Sequence, residues 1–164
     1  MSDHFKNLVF FCLLLFLSGC SLLGSEVNKQ IQKLEENKKI WSQKSSVNYT
    51  YKLDKSCFCP SGLFPATIVV RADTIHAVMD PETNDTLRAE ENNEPVLDLY
   101  PGLYKTIPEL FGIIRNTLDD DFYKIDVKYN KTLGFPAYIN IAPRDKRVAD
   151  GGVLYEVNSL SLSN

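Results

Sequence analysis

The sequence predicts an α+β domain: one antiparallel sheet of about six strands, packed on one face against two helices. Three observations carry this. Two segments have helical spacing of apolar residues, and six short segments alternate apolar with polar residues. The elements fall in the order helix, three strands, helix, three strands, and the first three strands read as an antiparallel meander. The hydrophobic fraction of 44% arrives in short patterned runs, as in a globular chain.

The first helix pattern runs from Glu26 to about Lys44. Val27, Ile31, Leu34 and Trp41 share one stripe, with Ser25 as candidate N-cap and Gly24-Ser25 as a short tether before it. Lys29, Lys33, Lys38, Lys39 and Lys44 outnumber Glu26, Glu35 and Glu36; they read as a solvated face, with anionic head groups as the other reading. The period then changes to two. Val47, Tyr49, Tyr51 and Leu53 alternate with polar residues in a first strand, broken by Pro60-Ser61-Gly62. Ala66 to Arg71 is a second strand, and the tight turn Ala72-Asp73 leads into a third, Thr74 to Met79.

Asp80 to Pro101 reads as a long acidic loop. Asp80, Glu82, Asn84 and Glu91 fall on EF-like calcium spacing, but Asp85 stands where the turn glycine belongs, so a solvated loop is the preferred reading. Thr106-Ile107-Pro108-Glu109 is a capping box opening a second helix, whose buried face is Leu110, Phe111, Ile113, Ile114 and Leu118. Strands follow at Tyr123–Tyr129, Ala137–Ile141 and Val153–Val157. Tyr100, Tyr104, Leu133 and Phe135 flank loop Gly and Pro; they fit either an apolar binding patch or a cover over the ends of the core.

The N-terminus carries the sharpest functional signal. Residues 8–17 form an unbroken apolar block, too short for a permanent span of roughly 20 residues and right for a secretory h-region. Leu17-Ser18-Gly19-Cys20 follows. This resembles a bacterial lipoprotein signal with its lipobox. The resemblance implies removal of residues 1–19, diacylglycerol on the Cys20 thiol, and acylation (palmitate) of the new N-terminus. Residues 20–25 then form a lipidated tether and residues 26–164 a single domain. Several acyl chains on one residue make a durable anchor. Ser21 after the cysteine implies the outer membrane, facing the periplasm.

Cys12 leaves with the signal and Cys20 is lipidated, so Cys57 and Cys59 remain, in an oxidising compartment. On an extended strand their Cα atoms lie about 6.5–7 Å apart, at the outer limit for a disulfide; a turn brings them closer. Three readings compete: a local disulfide, which leads; two buried free thiols; and a redox or metal-handling pair. Against the last, no helix pattern follows Cys59, and the only histidine after Cys20 is His76, a strand residue with no nucleophile motif beside it.

Tyr49-Thr50-Tyr51, Cys57-Phe58-Cys59, Thr106-Ile107-Pro108-Glu109-Leu110-Phe111, Val127-Lys128-Tyr129-Asn130, Gly134-Phe135-Pro136 and Ile139-Asn140-Ile141 together resemble domain-of-unknown-function family 6174, over about Trp41 to Val157. That family occurs in bacterial exported proteins and lipoproteins and brings no activity with it. It commonly has an aspartate-glycine turn between its second and third strands; Ala72-Asp73-Thr74 lacks the glycine.

The net charge of −3 gives no argument for nucleic acid. No phosphate loop, catalytic triad motif or paired-carboxylate motif stands out. The expectation is a membrane-anchored, non-catalytic binding or structural accessory of the cell envelope. It needs no cofactor or metal, has no evident small-molecule substrate, and has an envelope protein as partner. The alternative is a thiol-redox or metal-handling protein using Cys57 and Cys59.

Overall fold

The computed structural model describes residues 21–44, 47–148 and 151–163. Helix α1 spans Ser21–Lys44, α2 Val96–Leu99 and α3 Ile107–Leu118. The strands are β1 (Tyr49–Ser56), β2 (Ala66–Arg71), β3 (Thr74–Met79), β4 (Tyr123–Tyr129), β5 (Pro136–Pro143) and β6 (Val153–Leu162). All neighbours are antiparallel, in the order β3-β2-β1-β6-β5-β4, so the first and last strands meet at the centre. The α+β expectation holds, with a third, short helix added inside the acidic segment. Two compact units result, one ending at Lys33 and one running from Leu34.

Helix α1 starts earlier than the sequence reading. It is already helical at Ser21, which puts Gly24 and Ser25 inside it. Ser25 is therefore not the N-cap, and Gly24-Ser25 is not an irregular tether. A single glycine costs a helix about 1 kcal/mol, too little to stop one flanked by good helix formers. Residues 1–20, with Cys12 and Cys20, lie outside the described residues. Among the described residues no helix is long and apolar enough to cross a membrane.

The sheet buries one face. Tyr49, Tyr51 and Leu53 of β1 stand opposite Val70, Ile68 and Ala66 of β2, and all six are buried. Ile139 and Ile141 of β5 and Tyr155 and Val157 of β6 extend the same layer. Leu34 and Trp41 pack onto it; the Trp41 ring meets Tyr49 edge-on at 5.3 Å and Phe135 at 6.3 Å. Helix α3 covers β4 and β5 through Ile107, Leu110, Phe111 and Ile114. The opposite face carries Thr50, Lys52, Asp54, Asn140 and Glu156, partly or fully exposed. This follows from the period of two: every second side chain points away from the helices.

The capping box forms as the sequence predicts. Glu109 N–H donates to Thr106 Oγ1 at 3.3 Å, and Thr106 N–H donates to Glu109 Oε2 at 2.6 Å. The turn Ala72-Asp73 also forms, with φ of 48° and 57°. Two left-handed residues in succession make the mirror-image turn that suits strand twist, and Gly or Asn normally supply it. The missing glycine is thus replaced by two strained L-residues. At Gly134 (φ 78°) a Cβ would lie 2.5 Å from the Asn37 carbonyl oxygen, so only glycine fits where the β4–β5 loop meets α1.

The acidic segment is ordered. Asp80 Oδ1 accepts from the N–H groups of Glu82 and Thr83 at 2.8 and 2.9 Å, and a bridge joins Met79 to Thr86. Leu87 N–H then donates to the Val78 carbonyl at 2.9 Å, laying the segment along part of the β3 edge. The Thr83 and Glu82 amides hold the Asp80 carboxyl below its usual range. This carboxylate caps a turn.

Candidate functional site

The site is built where β1 runs out. Up to Leu53 its inward side chains are fully buried; beyond that the core thins. Lys55 takes the next inward position and is half-buried. Its ammonium lies 5.1 Å from the Tyr155 ring centroid and 5.8 Å from that of Phe64, and it donates to the Leu103 carbonyl at 3.4 Å. Burial, then the positive charge of Lys105, lowers its pKa below the usual lysine value.

After Ser56 the chain turns at once. Cys59 N–H donates to the Cys57 carbonyl at 2.9 Å, closing a three-residue turn. The Cα atoms of Cys57 and Cys59 stand 5.3 Å apart, inside the range a disulfide requires, and their sulfurs are in contact. The turn supplies the shortening that an extended strand lacks. Phe58, between them, has both neighbours drawn to one side and projects the other way; it is 93% exposed. The following segment returns to the core at Leu63, 2% exposed, whose carbonyl accepts from Tyr104 Oη at 3.2 Å.

Lys55, Cys57, Cys59, Pro60, Leu63 and Phe64 line an open hollow of about 340 Å³ beneath this turn. Asp54, Ser56 and Ser61 line it as well, so the Lys55 cation shares the hollow with a carboxylate and two hydroxyls. A wider hollow of about 690 Å³ lies between β3 and the start of α3, bordered by Asp73, Ile75, Leu97, Tyr104 and Pro108.

The other candidates fall elsewhere. Tyr104 and Phe135 are 1% and 4% exposed, and Tyr100 and Leu133 pack against the core. These four cover the core and do not form a binding patch. His76 is exposed and is the extra residue of a bulge in β3, opposite the step from Val69 to Val70. Among the described residues no group of three or more His, Cys, Asp or Glu is placed to hold a metal. Sequence reading singled out the two cysteines and missed Phe58. The signal was present: an aromatic between cysteines drawn together by a turn has to point away from both.

Comparison with known proteins adds one positive result. The model of a family of unknown function, DUF6174, matches residues 33–162. The chain belongs to this family. The match takes in every strand, α2, α3 and the Cys57–Cys59 turn, and starts within α1. No curated protein and no solved structure matches the chain.

Proposed function

We propose that this DUF6174 protein is an exported lipoprotein of the cell envelope, anchored through Cys20, that works by binding another envelope protein and not by catalysis. In this reading Cys57 and Cys59 form a disulfide that stiffens a small projecting turn. The observation that carries the binding role is Phe58. A phenylalanine 93% open to water, on a turn fixed at both sides, is the kind of aromatic anchor that dominates protein interfaces. Lys55 and Phe64 line the hollow bordered by the two cysteines that flank this anchor.

Two measurements test the reading. A photoreactive phenylalanine analogue at position 58 should capture a discrete partner in intact cells, while the same analogue at Val47, 52% exposed on the same domain, should not. Equal capture at both positions, or none at 58, overturns the binding role. Cys20→Ala should abolish acyl labelling and release the protein from the membrane fraction; unchanged labelling and fractionation overturn the anchor.

The hollow shared by Lys55 and the two sulfurs favours a second reading, thiol–disulfide exchange. Turnover in an insulin-reduction assay, lost in Cys57→Ser, distinguishes it from a structural bridge.

A further inference from the structure

The two edges of the sheet are treated differently. The β3 edge is blunted twice over: the bulge at His76 breaks its ladder, and Leu87 N–H occupies the outward carbonyl of Val78. These are usual protections for an edge strand. The β4 edge has neither. Its register with β5 shifts only at Lys128/Tyr129, where the extra residue, Ala137, sits on β5, and among the described residues nothing pairs with its outer side. Every second residue of this seven-residue strand therefore presents unpaired backbone groups.

The pattern along β4 says what fits there. Arg144 N–H donates to the Phe122 carbonyl at 2.9 Å, so Phe122, and by alternation Lys124, Asp126 and Lys128, spend their backbone groups on β5. The outward groups belong to Tyr123, Ile125, Val127 and Tyr129. Their side chains form a half-exposed apolar row on the helix side, and Lys124, Asp126 and Lys128 form an exposed row on the other. Lysines usually keep an edge from pairing with its own copy. Here Asp126 between them reverses that effect in two of the three central registers.

We propose that β4 pairs antiparallel with β4 of a second copy, joining two six-stranded sheets into one of twelve about a two-fold axis at Ile125 or Val127. With the axis at Ile125, Lys124 of each copy stands directly opposite Asp126 of the other, and Tyr123 opposite Val127. With the axis at Val127, Asp126 stands opposite Lys128. Only the axis at Asp126 sets like charges together, Lys124 against Lys128 and Asp126 against itself, and that register is rejected. Both favoured registers place Ile125 and Val127 at hydrogen-bonded positions and the charged residues at the closer, non-hydrogen-bonded ones, where side-chain pairing is strongest.

The test is sedimentation of the full chain in mild detergent over roughly a hundredfold concentration range around ~10 µM. Wild type should shift from monomer to dimer. Asp126→Lys makes the row wholly basic, and the double variant Lys124→Asp/Lys128→Asp makes it wholly acidic. Each alone should weaken dimerisation by about tenfold or more. Mixed in equal amounts, the two should dimerise again, as only complementary edges can. All three positions are exposed, so circular dichroism should read as wild type. A wild-type monomer at every concentration overturns the proposal and leaves the edge to a strand of another protein. So does a dimer indifferent to both variants, or a mixture that stays monomeric.

Discussion

The two ends of β1 belong to one strand and follow one alternation, yet they serve opposite ends. From Tyr49 to Leu53 each inward side chain is at most 1% exposed. The polar tips there are bonded: Tyr49 Oη accepts from Ile107 N–H at 3.0 Å, and Tyr51 Oη donates to the Lys105 carbonyl. From Lys55 onward the inward position holds a cation, and the strand ends in a turn that lifts Phe58 into water. The first half is shaped by what burial contributes to stability. The second keeps a large apolar side chain exposed, against that same force. A strand has no need to be uniform, because its register is already set by the half that is buried.

Four changes sharpen this contrast, from the largest effect to the smallest. Leu53→Ala, at a fully buried position in the first half, should lower unfolding free energy by about 3 kcal/mol in chemical denaturation, through lost transfer energy and the cavity left behind. Alkaline pH should act on the same half. Burial pushes the Tyr49 phenol from 10.0 up to about 12. The folded state therefore holds its proton more tightly than the unfolded chain does. That stabilisation is complete below the unfolded pKa and is lost as pH rises from 10 towards 12. It amounts to about 2 kcal/mol, and Tyr49→Phe should flatten that part of the stability–pH curve. Thr106→Ala removes the cap whose helix begins over Tyr49, and should cost about 1 kcal/mol. Phe58→Ser, at the far end, should change stability by no more than about 0.5 kcal/mol while abolishing co-purification of the partner that the position-58 analogue captures. A Phe58→Ser loss as large as that of Leu53→Ala would erase the distinction between the two halves.

What could be read in advance was what depends on neighbours in sequence. Thr106 and Glu109 are three residues apart, and both halves of their capping box are present. Ala72-Asp73 reads as a turn and is one. Alternation carries β6 only to Val157, whereas the strand runs to Leu162. The reason is the bulge in its pairing with β1, where Lys52 faces Ser159 and Leu53 faces Val157, leaving Asn158 extra. Val153, Tyr155 and Val157 keep one phase, and Leu160 and Leu162 resume it one residue later, which hides the continuation from any test of strict alternation. Alternation puts β1 at Val47 to Leu53, whereas the strand lies at Tyr49–Ser56, because pairing with β6 carries it past its last buried residue; Val47 is 52% exposed. The order inside the acidic segment arises from Asx turns and from pairing with β3, and composition registers neither. The cysteine pair was visible from spacing alone. The exposure of Phe58 depends on the direction in which a turn points, a property of the assembled backbone.

The meeting of β1 and β6 at the middle of the sheet sets a schedule for the newborn chain. Synthesis delivers β1 long before β6, from Tyr49–Ser56 to Val153–Leu162. Until β6 emerges, β1 has a partner on one side only, and the β1–β2–β3 meander and the β4–β5 hairpin have nothing to join them. Joining the sheet therefore waits for β6, and a chain stopped before Val153 lacks the strand that links β1 to β5.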